Sequence, residues 1–192
     1  MAQIGIFFGT DSGTTRLIAK KIAKSIKARQ GEGVAAKPMN VNRATAADLL
    51  AYRALILGTP TYGEGVLPGR DNGTDEAAWM EFLPQLAGQD FSGRRVALFG
   101  LGDQEKYPTH FCDALMDLYK LFGDAGAALI GGMATDGFEF RRSRAVQDGR
   151  FVGLALDQHL QHQLTDERIE AWLDAVLPLL LEVATAPEAE SA

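Results

Sequence analysis

The sequence predicts an α/β fold, a doubly wound parallel sheet of five strands with helices on both faces. Short apolar runs end in glycine, amphipathic helix patterns separate these runs, and the length of 192 residues suits one ordinary domain. Continuous apolar runs are typical of parallel strands that are buried on both faces. We therefore expect a single domain over residues 1–183, followed by a flexible tail over 184–192.

The strand candidates share a short apolar run, and the first, third and fourth are followed directly by glycine. The second candidate is weak. The fifth is interrupted by a polar, glycine-containing insertion over 131–150 and then resumes. In chain order the candidates cover residues 4–8, 34–38, 54–57, 95–99, and 127–130 with 151–156 as the two halves of the fifth.

Helical periodicity fills the intervals between these strands. From Thr14 onward, Ile18, Ile22 and Ile26 recur on one face and lysines occupy the others, which is typical of an amphipathic helix. The Thr-Asp-Glu sequence at 165–167 is an N-terminal signal for the last helix. The remaining helices are predicted over 45–52, around Trp79 and Phe82, and from a Thr109 cap to Phe122.

The composition disfavours several classes of function. A net charge of −6 argues against nucleic acid binding, which needs a basic surface. The single cysteine, Cys112, has no neighbours spaced for zinc or an iron–sulfur cluster and is expected to be a small buried hydrophobic residue. The longest apolar run, 175–181, is too short to cross a membrane, and the chain starts directly with a strand pattern. We expect a cytoplasmic monomer that binds no metal ion, nucleic acid or membrane.

The loop after the first strand has the composition of a phosphate site. Residues 9–15 read Gly-Thr-Asp-Ser-Gly-Thr-Thr, and ligands of doubly wound sheets bind at the carboxyl ends of the strands. The two glycines permit turns that expose backbone N–H groups, while the hydroxyls and the following helix N-terminus add donors. Asp11 is a mild objection unless its side chain points to solvent. The loop is neither a P-loop nor a dinucleotide fingerprint, and a polar turn with good helix caps is the alternative.

The loops 59–65 and 102–108 each contain one tyrosine, Tyr62 and Tyr107, beside glycines or acidic residues. A flavin ring needs flat apolar surfaces and backbone groups that reach its edge. Either tyrosine alone is better explained as an ordinary surface residue. On adjoining loops of one sheet, the two together indicate a flavin site.

The chain resembles the long-chain flavodoxins over nearly its whole length. The insertion at 131–150 corresponds to the segment that separates long-chain from short-chain members. The combination of GTPTYGEGVLPG with the extended loop over 70–78 is similar to flavodoxins that serve nitrogenase. The matching stretches, in the order found in the family, are FFGTDSGTTRLIAKKI, LILGTPTYGEGVLPG, FSGRRVALFGLGDQEKYP, TDGFEF, DGRFVGLALD and LTDERIEAWL.

The resemblance implies which residues contact the cofactor, flavin mononucleotide (FMN). Tyr62 and Tyr107 would sandwich the ring, with Tyr107 nearly parallel to it, and Asp157 would lie near the rim. The full implied set is Thr10, Asp11, Ser12, Gly13, Thr14 and Thr15 at the phosphate, Thr59, Pro60, Thr61, Tyr62, Gly63, Glu64 and Gly65 on the second loop, Leu101, Gly102, Asp103, Tyr107 and His110 on the third loop, and Asp157.

The resemblance also implies a low-potential one-electron carrier, not an enzyme, that uses the semiquinone/hydroquinone couple of non-covalently bound FMN. The implied acceptor is the nitrogenase iron protein. The implied donor is a flavodoxin/ferredoxin reductase or a pyruvate:flavodoxin oxidoreductase. The loops 59–76 and 101–117 each have a net charge of −3, so a partner with a basic face is expected. In the family pattern the carbonyl at the Gly63 position turns toward reduced flavin N5, and glycine eases that rotation.

Two other classes of protein share this kind of sheet. An NAD(P)H-dependent FMN quinone reductase needs an open apolar pocket beside the ring and is usually a dimer. A receiver-type signalling domain needs acidic residues after the first strand and an aspartate after the third, where Gly9-Thr10 and Gly58-Thr59 stand instead. The carrier is preferred to both.

Overall fold

The computed structural model describes residues 3–10 and 12–185, which form a parallel sheet between two layers of helices. Asp11 and residues 186–192 of the expected tail lie outside the described residues. The helices are α1 (Thr14–Gln30), α2 (Ala46–Leu50), α3 (Trp79–Phe82), α4 (Ala114–Asp124) and α5 (Thr165–Ala184). The strands are β1 (Ile4–Phe8), β2 (Met39–Asn40), β3 (Ala54–Pro60), β4 (Arg95–Gly102), β5 (Ala128–Ile130), β6 (Met133–Ala134), β7 (Val146–Gln147), β8 (Arg150–Phe151) and β9 (Leu154–Asp157).

The strand order of the main sheet is β2-β1-β3-β4-β5, and its strands pair in parallel. Strand β9 lies beside β4 as well. β5 pairs with residues 95–97 at the start of β4, and β9 pairs with residues 99–102 at its end. The two are therefore halves of one strand position, separated in the chain by the insertion. The predicted doubly wound sheet with an interrupted fifth strand is confirmed.

Different helices bury the two faces of the sheet. Helices α1 and α5 cover one face with apolar side chains that include Ile22 and Trp172. Helices α2, α3 and α4 cover the other face, where Trp79 and Leu118 are fully buried. Because both faces are covered, β3 and β4 consist almost entirely of buried residues, which explains their continuous apolar runs.

The insertion forms a small antiparallel sheet of its own, in the order β6-β8-β7. Phe138 and Phe140 of the insertion, and Phe151 at the end of β8, pack on Phe111, which lies before α4, with ring centroids 5.3, 5.5 and 5.8 Å away. Aromatic pairs at these distances add stabilisation beyond the area that they bury. The insertion is therefore packed against the loop that follows β4.

The second strand is displaced from its predicted position. β2 covers Met39–Asn40 instead of 34–38, and the earlier segment meets β1 in an isolated bridge between Ile4 and Ala35. Pro38 explains the interruption, because proline has no N–H to donate to a strand ladder.

The fourth helix begins later than predicted. Thr109 is expected to cap it, but α4 begins at Ala114. Cys112 has a φ of +56°, a left-handed conformation that a right-handed helix does not contain, so the segment before Ala114 forms turns. The side chain of Cys112 is fully buried, as expected.

The remaining helices agree with expectation apart from their ends. Thr45 caps α2, and its N–H and hydroxyl both donate to Asp48 Oδ2 over 2.7 Å. α2 then ends at Leu50 instead of 52, and α5 continues to Ala184, one residue past the expected domain end. Across residues 3–10 and 12–185, no helix combines the length and the apolar character that crossing a membrane requires.

Candidate functional site

A cleft of about 420 Å³ opens at the carboxyl edge of the sheet, above β1, β3 and β4. The winding of the chain reverses between β1 and β3. Such reversal points are where doubly wound sheets bind ligands, and the volume is in the usual range for small-molecule sites. The cleft is lined by Ser12, Thr14, Thr15, Pro60, Thr61, Tyr62, Gly63, Leu101, Gly102, Asp103, Tyr107, Gln158 and His159. The three predicted loops therefore meet at one site.

One end of the cleft is formed by the loop 9–15 and the start of α1. Gly13 precedes the helix with a φ of +88°, and its N–H donates to the Thr10 hydroxyl oxygen over 3.0 Å. Among the described residues, no side chain caps α1 and no acidic residue lies in its first turn. The first-turn N–H groups are free to bind an anion, which the helix dipole also favours. The start of α1 is therefore suited to an anionic group such as a phosphate.

Trp79 supports the strand ends beneath this loop. Its ring N–H donates to the Gly58 carbonyl over 2.9 Å, and the N–H of Gly9 donates to the same carbonyl over 3.0 Å. One carbonyl thus connects the ends of β1 and β3 to α3. The sequence pattern places Trp79 in a helix core but contains no sign of this bond.

The second loop closes into a tight turn over 62–66. Tyr62 N–H donates to the Val66 carbonyl, and Val66 N–H donates to the Tyr62 carbonyl, both over 2.9 Å. Gly63, at the tip, has a φ of +47°, and a Cβ there would meet nothing within 4 Å. Gly65, at the base, has a φ of +90°, and a Cβ there would stand 2.6 Å from Asp113 Oδ2. The tip therefore has room to move, whereas the base is packed.

The third loop is shaped by Asp103. Its Oδ1 accepts hydrogen bonds from the N–H groups of Glu105 and Lys106, over 3.1 and 2.8 Å, which forms an Asx turn. Tyr107 follows with 38% of its surface exposed, and Lys106 Nζ lies 5.2 Å from its ring centroid. Tyr62 and Tyr107 line the same cleft and offer aromatic surface to a planar ligand.

Several predicted residues lie beside the cleft instead of lining it. Thr10 and Gly13 line a neighbouring cleft on the other side of the phosphate loop. Thr59 is fully buried, and its hydroxyl donates to the Pro60 carbonyl over 2.8 Å. His110 Nδ1 lies 3.2 Å from the Asp113 carboxylate. Beyond these, Glu64 is exposed next to the turn tip, Gly65 is buried at the turn base, and Asp11 lies outside the described residues.

Asp157 lies beneath the site and not at its rim. It is fully buried at the end of β9, and its Oδ2 accepts from the N–H and the side-chain amide of Gln104, over 3.1 and 2.9 Å. Its Oδ1 accepts from the N–H groups of His159 and Leu160, over 2.8 and 2.9 Å. The carboxylate is thus occupied within the protein, where it joins the third loop to the segment after β9.

Gln158 and His159 line the cleft but are not among the predicted site residues. His159 Nε2 lies 3.4 Å from Glu105 Oε2, so the segment after β9 and the third loop meet at the mouth of the cleft. Their position directly after a strand of the sheet is the one signal that could have indicated them.

Two titratable groups next to the loops of the site have pKa values that their surroundings raise. Burial raises the pKa of the Cys112 thiol well above its usual range, so the thiol stays protonated and unreactive. A hydrogen bond to the Asp117 carboxylate raises the pKa of Arg144. Within the described parts of the chain, no group of three or more His, Cys, Asp or Glu side chains is arranged to hold a metal ion.

Comparisons with known proteins agree on one family. A family model described as Flavodoxin matches residues 6–172. The chain is 46% identical over 176 residues to a flavodoxin of Klebsiella pneumoniae, in an alignment that covers 92% of this chain and 97% of that protein. It is also 46% identical over 182 residues to a flavodoxin of Enterobacter agglomerans, covering 94% of this chain and 100% of that protein.

Two solved structures with similar folds contain a bound flavin. A single-residue variant of the Fusobacterium nucleatum flavodoxin, bound to flavin mononucleotide, matches with a TM-score of 0.81 at 33% identity, covering 92% of this chain and 95% of that one. The Fusobacterium nucleatum flavodoxin bound to flavin mononucleotide matches with a TM-score of 0.78, also at 33% identity, covering 89% and 94%. The ligand of both structures has a planar ring and a phosphate.

Proposed function

The chain belongs to the flavodoxin family, and from that premise we propose that it holds FMN non-covalently and delivers single electrons at low potential to the nitrogenase iron protein. A flavodoxin is an electron-transfer protein and not an enzyme, because the flavin performs the redox step and the protein sets its surroundings. The observation that carries the proposal is the cleft at the reversal point of the sheet. There two tyrosines are brought together with a helix N-terminus that no described side chain caps.

The residues present fit both parts of FMN. The first-turn N–H groups of α1 and the hydroxyls of Ser12 and Thr14 are donors for a phosphate, and no cation is needed. Tyr62 and Tyr107 supply aromatic surface for the ring, and the backbone of residues 101–103 offers polar groups to its edge. When bound, FMN supplies the one-electron redox chemistry. The protein binds it, orients it and limits its contact with water.

The charges around the cleft favour a low potential. Asp103 lines the cleft, and Glu64 and Glu105 are exposed on the adjoining loops. Fixed negative charge raises the free energy of an additional negative charge nearby, and aromatic faces exclude the water that would stabilise it. These residues therefore oppose full reduction of the bound flavin.

An acidic rim formed by Glu64, Asp71, Asp75 and Glu105 is the proposed docking surface, since all four are exposed on the loops that surround the cleft. Electron carriers need only small, transient interfaces, and opposite charge speeds their encounter. The nitrogenase iron protein as acceptor is supported by the GTPTYGEGVLPG motif and the extended loop that follows it. A flavodoxin/ferredoxin reductase or a pyruvate:flavodoxin oxidoreductase is proposed as the donor, and the cytoplasm as the location.

A quinone reductase is not favoured. Such an enzyme needs an apolar substrate pocket beside the ring, whereas Asp103 and His159 line this cleft, Glu105 lies beside His159, and Lys106 lies over the ring of Tyr107. The relatives and solved structures described above are likewise flavodoxins.

An anaerobic reductive titration followed by visible absorption tests the carrier function. We expect a yellow protein that accumulates flavin at the one-electron level and bleaches fully only at very low potential. A protein that takes up no FMN would refute the function, and direct two-electron bleaching by NADH or NADPH would favour the reductase.

Electron transfer to purified nitrogenase iron protein tests the acceptor. We expect the rate to fall as ionic strength rises, because salt screens the acidic rim. Reduced protein that does not oxidise in the presence of the iron protein would refute this acceptor and leave FMN binding unaffected.

A further inference from the structure

Residues 141–144 of the insertion are bonded to the loop that contains Tyr107. The N–H groups of Arg141 and Arg142 donate to the Pro108 carbonyl over 2.7 and 3.0 Å. The Ser143 hydroxyl donates to the Phe111 carbonyl over 2.5 Å. This segment therefore follows the back of the third loop over several residues.

The same segment reaches the second loop through one side chain. Arg144 Nη2 donates to the Gly65 carbonyl over 2.5 Å. The guanidinium also binds both Asp117 oxygens, over 3.0 and 3.2 Å, and lies 3.4 Å from Asp113 Oδ2. The N–H of Arg144 donates to Asp113 Oδ1 over 2.6 Å. One arginine thus connects the insertion, the start of α4 and the turn over 62–66.

This connection holds the turn at its base only. Gly65 is packed against the Asp113 carboxylate and bonded to Arg144, whereas the space around Gly63 is open. The two N–H bonds to the Tyr62 carbonyl, from Gly65 and Val66, keep the turn closed between these points. A turn with a fixed base and a free tip limits the change of shape to the Gly63–Glu64 peptide.

From this geometry we infer that Arg144 is a positioning residue for the flavin, which fixes the base of the turn so that the Gly63–Glu64 peptide alone responds to the redox state. The inference rests on the proposed FMN function. It gives the insertion a role in tuning the cofactor. The Arg144 side chain, 79 positions from Gly65 in the sequence, would set how strongly the one-electron level of the flavin is favoured.

The test compares Arg144→Ala and Arg144→Lys with Arg142→Ala. Arg142 is exposed on the same segment and supplies the same change of charge, and among the described residues only its backbone is bonded to the loop. Lysine keeps the charge of Arg144, but its single ammonium group cannot reproduce the fork that binds Gly65 and Asp117 together. Asp117→Asn weakens the other side of the contact and leaves the bond to Gly65 in place.

Three quantities are measured on each protein: the FMN dissociation constant, the equilibrium constant for disproportionation of the one-electron level, and amide exchange at Gly65 and Val66 in the apoprotein. For Arg144→Ala we expect FMN binding to weaken about tenfold, disproportionation to rise about tenfold, and both amides to exchange faster. Arg144→Lys should change all three quantities in the same direction but by less. Arg142→Ala should match the wild type, and Asp117→Asn should alter disproportionation less than Arg144→Ala.

Disproportionation distinguishes positioning from simple support of the fold, because general destabilisation leaves the relative energies of the redox levels unchanged. Equal disproportionation constants in the wild type, Arg144→Ala and Arg144→Lys would overturn the inference, as would equal shifts in Arg144→Ala and Arg142→Ala. If Arg144→Ala does not fold, the disproportionation constant of Arg144→Lys, compared with that of the wild type, decides whether the inference holds. A wild-type protein that binds no FMN would refute the proposed function itself. That result needs no variant, so it is distinguishable from a failure of the inference about Arg144.

Discussion

Trp79 occupies the space directly beside Gly9, where a Cβ would stand 2.4 Å from Trp79 Cδ1. Packing against Trp79 thus requires a glycine at the first position of the phosphate loop. The indole also donates to the Gly58 carbonyl, so one fully buried side chain supports the ends of both strands that flank the cleft.

Replacing Trp79 by Phe should therefore affect both stability and cofactor binding. The change removes one hydrogen bond and leaves a cavity beneath the loop. We expect the free energy of unfolding to fall by about 2 kcal/mol and FMN binding to weaken about fivefold. Urea unfolding of the apoprotein and fluorescence titration with FMN measure the two effects.

Trp172 offers a matched control. Its ring N–H donates to the Gly131 carbonyl over 2.8 Å, and it is 5% exposed, but it lies between α5 and the sheet away from the cleft. Trp172→Phe should cost similar stability and leave the FMN dissociation constant unchanged. Equal loss of FMN affinity in the two variants would contradict a specific role for Trp79.

Lys106 lies over the ring of Tyr107, with 5.2 Å between Nζ and the ring centroid. A positive charge at the mouth of the cleft favours the fully reduced, more negative flavin. Lys106→Gln should lower the potential of the last reduction step by on the order of tens of millivolts at low salt. Spectroelectrochemistry measures the shift. Lys20→Gln changes the charge equally on the exposed surface of α1, and an equal shift there would indicate a general effect of net charge.

The architecture could be predicted because burial on both faces leaves a direct trace in the sequence. The runs at 4–8, 54–57 and 96–99 are continuous and apolar because helices cover both faces of β1, β3 and β4. The errors arose where the backbone departs from regular geometry. Pro38 interrupts the pairing of the second strand, and the left-handed conformation of Cys112 delays α4. Neither effect changes the hydrophobic pattern, so periodicity did not reveal them.

The cleft could be predicted as a set of loops, because the carboxyl ends of parallel strands meet at one edge. Its supporting contacts could not. The bonds Gly58–Trp79, Gln104–Asp157 and Gly65–Arg144 join residues 21, 53 and 79 positions apart. No local pattern encodes such pairs. The sequence alone indicates a rim residue at Asp157, whereas in the structure its carboxylate accepts four hydrogen bonds from backbone and side-chain N–H groups.

Asp157→Asn tests that revised role. An amide has one acceptor oxygen, so its NH₂ group must face donors that the carboxylate now accepts. We expect the free energy of unfolding to fall by about 2 kcal/mol, and FMN binding to weaken because the third loop and the segment after β9 both lose an attachment. Urea unfolding and FMN titration measure these changes. Asp136→Asn, on the exposed surface of the insertion, should change neither quantity. If Asp136→Asn and Asp157→Asn had the same effects, the loss would come from the change of charge alone.

Cys112 makes the stability of the apoprotein depend on pH in the alkaline range. Burial raises the pKa of its thiol in the folded chain, whereas a thiol in the unfolded chain has a pKa of about 8.5. Below that pH both states hold the proton and the full stability is present. Above it only the unfolded chain releases the proton, so the free energy of unfolding falls by up to about 1.4 kcal/mol per pH unit.

The Cys112→Ala variant has no such proton and serves as the control. The difference in unfolding free energy between the wild type and this variant should therefore fall by about 2 kcal/mol between pH 8 and pH 10 in urea titrations. Other groups cancel in that difference, so a difference that does not change with pH would show that the thiol ionises as readily in the folded protein as in the unfolded chain.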